Sequence, residues 1–247
     1  MNECVVSIHQ PQYWPWLGLF EKIVNSDVHV VLDDVQFHKR GFQHRTLYRV
    51  FNMRKSQHLT IPYEKTTGYN IICNVLLPAD TSWYLNHLET IHNNYRKTPF
   101  FEVIFELIKP IYSKTYRSLS DLNIAILRFL FSLLDIKTKL YVASDIGSDK
   151  KKDELMLDYT IKAGGTAYLS GRGAKKHMND FIFEERGIKL LYQEFTHPVY
   201  YQYCEGFVDG LFVLDMLFNI GVEETKRYIH TIGNGVEVSE GRSSGHV

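Results

Sequence analysis

Cysteine is scarce in this chain, and the three present, Cys4, Cys73 and Cys204, stand far apart. They offer neither a disulfide framework nor zinc-ligand spacing, so a reduced, cytoplasmic protein is the simplest reading. Net charge is also missing: 28 basic residues balance 28 acidic ones. That argues against nucleic acid as a general ligand and against a membrane surface, while leaving room for a local basic patch. No apolar run is long enough to span a bilayer, and Met1-Asn2-Glu3 lacks the basic start of a secretory signal. No internal repeat is visible. Neither a Walker A loop nor a dinucleotide fingerprint occurs, because the glycine spacing fits neither. What the chain has in quantity is apolar residues, 45%, and aromatics, 14%, over 247 positions. That is enough for a sizeable core with aromatic surface to spare.

Apolar strands alternate with periodic helices at both ends of the chain. Cys4–Ile8 and Val28–Leu32 read as buried strands around a helix over Leu17–Val24, a unit in which parallel pairing is expected. Thr46–Phe51 and His58–Pro62 read as a hairpin, and Ile71–Leu77 as a further strand. Helices are expected over Trp83–Tyr95, from Pro99 through Ile108, and over Leu119–Leu134. Lys139–Ala143 is a strand, Ser144–Asp149 a loop and Glu154–Lys162 a helix. Ala167–Leu169, Lys175–Glu184 and Gly187–Tyr192 then make a second strand–helix–strand unit. Helices over Val208–Asn219 and near Glu223–Ile229 follow. The expected class is α/β, a Rossmann-like parallel core sheet with flanking helices and a β-hairpin insertion. One domain is expected over residues 1–232, with a disordered tail over 233–247.

Chemistry collects where strands end. His9-Gln10-Pro11-Gln12 follows the first strand. A histidine there suits proton transfer, and the amides of Gln10 and Gln12 suit a sugar or base edge. The plainer reading is a rigid turn plugged by Tyr13, Trp14 and Trp16. Asp33-Asp34 ends the next strand. Adjacent carboxylates there could bind a divalent ion or accept a proton, with Asp33 a second candidate for proton transfer and Asp34 for binding, though strand alternation points only one of them at a crevice; a polar strand stop is the alternative. Lys39, Arg40, Gln43 and Arg45 form a basic loop around Phe42, with forks that fit phosphate and a ring that supports a flat group. Chance basicity of a surface loop competes with this. Ser170, Gly171, Arg172, Gly173 and Lys175 make a strand–turn–helix anion site, or an ordinary turn. Tyr200 and Gln202 lie in a tyrosine-rich segment before the last strong helix and are candidate pocket residues. His9, Asp33, Arg40, Arg45, Ser170 and Gln202 are expected to line one cleft. No metal set is visible, and the cofactor is unknown.

Taken in order, these stretches resemble the WbqC-like protein family. The resemblance is carried by His9-Gln10-Pro11-Gln12-Tyr13, Pro15-Trp16-Leu17-Gly18, Leu32 to Phe37, Lys39-Arg40, Gln43 and Arg45. It continues through Tyr168 to Gly171, Gly173-Ala174, Gly187-Ile188, Pro198 to Tyr200, Gln202 and the segment from Gly210 to Gly221. His44 departs from the pattern, where asparagine is expected, as does Tyr203-Cys204, where a bulky aromatic is expected. The resemblance implies a part in bacterial surface-polysaccharide (O-antigen type) biosynthesis. Its partners would be a nucleotide-linked amino-sugar and an acyl or aminoacyl (glycine) donor, and its activity N-acyl or aminoacyl transfer. A nucleotidylyltransferase-like enzyme and a non-catalytic nucleotide-sugar-binding subunit are the alternatives.

Overall fold

The computed structural model describes residues 3–65, 70–235 and 239–240. Five strands run parallel: β1 (Val5–His9), β2 (Val28–Val31), β5 (Lys139–Val142), β6 (Ala167–Ser170) and β7 (Lys189–Tyr192). The spatial order is β5-β2-β1-β6-β7, closed by the two-residue antiparallel β8 (Ser239–Glu240). In chain order the parallel strands read 3-2-1-4-5, so the winding reverses between β1 and β6. In sheets of this kind ligands bind outside the carboxyl ends of the strands at that reversal. The carboxyl end of β1 is His9.

Strand alternation sends Val6, Ile8, Val28, Val30 and Tyr168 to one face, where they pack with Leu155, Tyr159 and Phe183 from α6 (Lys152–Lys162) and α7 (Asp180–Glu184). The opposite face lies under α1 (Leu17–Val24) and, with α2 (Ser82–Tyr95), α3 (Phe101–Tyr112), α4 (Leu119–Leu133) and α8 (Val213–Gly235), encloses the larger core. The hairpin β3 (Arg45–Arg49) and β4 (Ser56–Thr60) forms a separate two-stranded sheet and adds Tyr48 and Leu59 to the larger core. α4 opens on a capping box of Ser118 and Asp121, which satisfies its first free amides.

Several expectations are corrected. Ile71–Leu77 is no strand but a short 3₁₀ turn, Ile72–Asn74. Its backbone pairs with two different neighbours, Asp33 and Val35 on one side and Arg117 and Leu119 on the other, so no single ladder forms. Ser144–Asp149 is not all loop: α5 (Ala143–Ile146) turns at the end of β5. Lys175–Glu184 is broken into a 3₁₀ turn, Arg172–Lys176, and α7, with the Asn179 amide held by the Asp153 carboxylate between them. The last helix begins at Val213 rather than Val208, after Gly210 at φ 66°. It also runs past Asn219, bending at Gly221, φ 79°, where a Cβ would strike the Phe100 ring. Of the tail expected over 233–247, residues 233–235 end α8 and Ser239–Glu240 pair with β7, while 236–238 and 241–247 lie outside the described residues. No helix among the described residues is long and apolar enough to cross a membrane.

Candidate functional site

β1 delivers His9 to the carboxyl edge of the sheet, and residues 10–16 form the loop back to α1. This loop is fixed by its aromatics. Trp14 sits at φ 40°, a strained conformation for a bulky side chain, and is fully buried. Its indole N–H donates to Tyr112 Oη at 2.8 Å. Tyr112 and Tyr13 join hydroxyls at 2.6 Å, and Tyr13 meets His87 Nδ1 at 2.8 Å. His87 Nε2 lies 3.0 Å from the Thr60 carbonyl, which can only accept. The proton order is therefore set: Trp14 to Tyr112, Tyr112 to Tyr13, Tyr13 to a neutral His87. The aromatics of the loop are structural, and they hold His9, Gln10 and Gln12 in place.

Beside them lies the loop 38–43, and the two loops enclose a cleft of about 440 Å³. His9, Gln10, Pro11 and Gln12 form one wall; His38, Arg40, Gly41, Phe42 and Gln43 form the other. The Gln43 amide donates to the Gln10 side-chain oxygen and joins the walls. A Cβ at Gly41 would run into that amide, so a larger residue there would displace the Gln43 side chain. Gln43 is anchored from behind by Asn123, which donates to its carbonyl at 2.7 Å. Phe42 is 43% exposed, an aromatic face on the rim. Arg40, Lys39 and His38 are exposed there too. Arg45 does not face the cleft freely, because its guanidinium donates to the Arg40 carbonyl and braces the loop.

His9 Nδ1 lies 2.8 Å from the Gln10 carbonyl. A carbonyl only accepts, so Nδ1 carries the proton and Nε2 is the ring's free acceptor. Burial, reinforced by the Lys22 ammonium, pushes the imidazole down to about 4, so the ring is neutral at physiological pH.

The other residues expected beside His9 are elsewhere. Asp33 is buried and spent: it accepts from Ser120 Oγ at 2.7 Å, from Ser144 Oγ at 3.0 Å and from the Ser144 amide at 3.0 Å. Those contacts tie β2 to the starts of α4 and α5. Asp34 takes the Tyr159 hydroxyl, and burial raises its carboxyl above the ordinary range. Ser170 is buried and interacts with the Tyr168 phenol, on the sheet face opposite to that of Ser7 and His9. Gly171 to Lys175 form an exposed turn at the same edge of the sheet, outside the cleft. Tyr200 and Gln202 belong to a buried network around Asp215, which accepts from Tyr200 at 2.7 Å, Tyr95 at 2.9 Å and Gln202 at 3.0 Å. Arg49 closes that network, reaching the Gln202 side chain at 2.5 Å and the Glu205 and Gly206 carbonyls. The cleft thus unites His9, Gln10, Gln12, Arg40 and Gln43, with Lys39 and Arg45 at its margin. His38, which lines the cleft, and Lys22 and His87, which brace the segments around it, are residues that pattern alone did not single out. Lys22 reads from sequence as an ordinary polar position on α1, and nothing local betrays its burial. Among the described residues no group of metal-ligating side chains is present.

Four imidazoles, three of them buried and His9 half-buried, make acid stability a sensitive readout of this arrangement. His9, His44 and His87 are each pushed down to about 4, and His29 well below its ordinary value, with burial the main cause. The unfolded chain protonates these rings near the ordinary 6.5, whereas the fold resists until about 4. Their stabilisation is therefore complete above pH 6.5 and drains away as pH falls from there toward 4. Urea midpoints should fall steeply across that window, and His87→Gln should flatten the slope. An unchanged slope in that variant would mean His87 is not held neutral.

A relative from Mycobacterium tuberculosis, "Uncharacterized protein Rv1507c", is 29% identical over 220 residues, covering 88% of this chain and 94% of its own length. The family model of the WbqC-like proteins matches residues 10–227, from the glutamine after His9 into the last helix. The chain that builds its cleft from the loop after β1 and the basic loop after β2 belongs to the WbqC-like protein family.

Proposed function

We propose that the protein is an enzyme of bacterial surface-polysaccharide (O-antigen type) biosynthesis that transfers an acyl or aminoacyl group to the amine of a nucleotide-linked amino-sugar. The observation that carries this reading is His9: a neutral ring with its tautomer fixed by the Gln10 carbonyl, on the wall of a cleft with a cationic, aromatic rim. In the reaction the sugar amine attacks the donor's carbonyl carbon. A C–N bond forms, the bond to the leaving group breaks, and the proton lost by the nitrogen passes to His9 Nε2 and on to the departing group. A weakly basic imidazole suffices, since the nitrogen of the tetrahedral adduct is far more acidic than the free amine. Arg40 and Lys39 suit the diphosphate, Phe42 the flat base, and Gln10 and Gln12 the sugar hydroxyls. The three cysteines, all unpaired, fit a reducing cytoplasm.

The test is the mass of the product after incubation with a panel of nucleotide-linked amino-sugars and acyl or aminoacyl donors. The reading expects the sugar to gain one acyl or aminoacyl mass at its amine. Pyrophosphate release from a nucleoside triphosphate would replace it with nucleotidyl transfer, and tight binding without turnover under any donor with a binding subunit. Arg40→Ala is expected to weaken nucleotide-sugar affinity about tenfold, the effect of one partly screened charge-assisted contact. The deficit should shrink as salt is raised. An affinity equal to wild type would remove Arg40 from the binding site.

A further inference from the structure

Three glutamines line the cleft, and their hydrogen bonds make them unequal. The Gln43 side-chain amino group donates to the Gln10 side-chain oxygen. What lies behind Gln43 rules out the reverse arrangement, with Gln10 as donor. The other amide atom of Gln43 is buried beside Gly41 with no hydrogen-bond partner among the described residues. An oxygen can stand there with its acceptor capacity unused, whereas an amino group would strand two donors. Gln10 therefore gives its oxygen to Gln43 and keeps both Nε2 hydrogens for the cleft, since among the described residues they take no partner. Gln12, 8% exposed, makes no side-chain hydrogen bond among the described residues and offers the cleft both its oxygen and its amino group.

Gln10 also fixes the base, because its backbone carbonyl lies 2.8 Å from His9 Nδ1 and leaves Nε2 free. One residue thus sets an acceptor, His9 Nε2, and a pair of donors, its own amide, on one wall. The donors are braced from the core. Gln43 is 3% exposed, and its carbonyl accepts from Asn123 Nδ2 at 2.7 Å, on a residue 1% exposed in α4. Acyl transfer asks for this pairing, since the nitrogen sheds a proton while the carbonyl oxygen gains negative charge.

We propose that Gln10 is a catalytic residue whose side-chain N–H groups stabilise the donor's carbonyl oxygen as it turns negative, with Gln43 the positioning residue that aims them. This rests on the proposed acyl transfer and narrows the part of Gln10 there, from the sugar hydroxyls to the reacting atoms, leaving the hydroxyls to Gln12. As the amine nitrogen bonds to the carbonyl carbon, the π pair moves onto oxygen, where Gln10 Nε2 donates. When the adduct collapses, that pair re-forms the carbonyl. The leaving group departs with its bonding pair and takes the nitrogen's proton through His9 Nε2. Donors oriented in advance need no reorganisation at that moment, and they favour the charged oxygen over the neutral carbonyl.

The test is steady-state transfer kinetics of wild type, Gln10→Ala, Gln10→Glu, Gln43→Ala and the double alanine variant. Gln10→Ala should lower kcat about 10²–10³-fold, the order for one lost oxyanion donor, with KM for the nucleotide-sugar kept within about threefold. Gln10→Glu separates the two roles of the residue. Its carboxylate has the same size and still accepts from Gln43 and from sugar hydroxyls, but it has no hydrogen to give an oxyanion. It should lose at least as much kcat as Gln10→Ala while KM holds, and it serves alone should the alanine variant not fold. Gln43→Ala should reproduce most of the loss. The double variant should lose little more than Gln10→Ala, because Gln43 acts through Gln10. Transfer by wild type with kcat unchanged in Gln10→Glu overturns this inference and leaves the proposed function standing, as does a change in KM alone. No product from wild type with any donor removes both.

Discussion

His9→Ala is expected to keep nucleotide-sugar affinity within a factor of about three and to lower turnover by roughly 10²–10⁴. The affinity is spared because the side chain donates to its neighbour's carbonyl and leaves the basic rim on the other loop untouched. The turnover falls because Nε2 is the acceptor for the amine proton. The pH profile carries a sharper form of the same expectation. Since the folded imidazole is depressed to about 4, the limb of kcat that depends on neutral His9 should stay flat through pH 6.5 and fall only toward 4. Equal losses of binding and turnover, tracking a lower melting temperature, would instead make His9 a plug in a rigid turn. Full activity in the variant would remove it from the mechanism. Asp33 is a poor replacement, because its carboxylate is already engaged by Ser120 and Ser144.

Asp215→Ala should be the most destabilising single change outside the aliphatic core. The carboxylate is fully buried and receives two tyrosine hydroxyls and the Gln202 amide. Its removal strands three donors and leaves Arg49 on a weakened partner, a loss of about 3–5 kcal/mol and a fall in melting temperature of about 10 °C. The loop 198–206 is the segment that should open first, since Tyr200, Gln202, Glu205 and Gly206 are all tied to this knot. Asp215→Asn adds a pH signature. Burial pushes this carboxyl up to about 6. The folded state therefore holds its proton more tightly than the unfolded state, and the group's contribution to stability declines as pH climbs from about 4 to about 6. The asparagine variant should lack that decline. Destabilisation under about 1 kcal/mol in the alanine variant would show that the network is not what holds the loop.

The strand positions were legible because buried strands and amphipathic helices leave different periods, and β1, β2, β5, β6 and β7 fall where apolar runs predict them. Short elements were less legible. Ile71–Leu77 has the composition of a strand, but its partners are set by two distant segments that no local pattern encodes. At the site, adjacency in sequence was informative and distance was not. His9, Gln10 and Gln12 share a loop, and Arg40 and Gln43 share the next, so both sides of the cleft could be read directly. Ser170 and Gln202 carry equally polar motifs, yet strand alternation turns one to the far face and a buried aspartate claims the other. A polar residue used to tie a loop down looks, in sequence, the same as one offered to a ligand. Lys22 shows the converse, because a lysine on a helix reads as solvated until packing closes over it.

The most direct test of the central claim is the mass of the nucleotide-linked amino-sugar recovered from parallel incubations of wild type and His9→Ala with the same acyl or aminoacyl donor. The account predicts a sugar heavier by one acyl or aminoacyl group, its amine blocked, from wild type, and unmodified sugar from the variant at the same time. Identical product from both proteins, or unmodified sugar from wild type across the whole panel of donors, would contradict it.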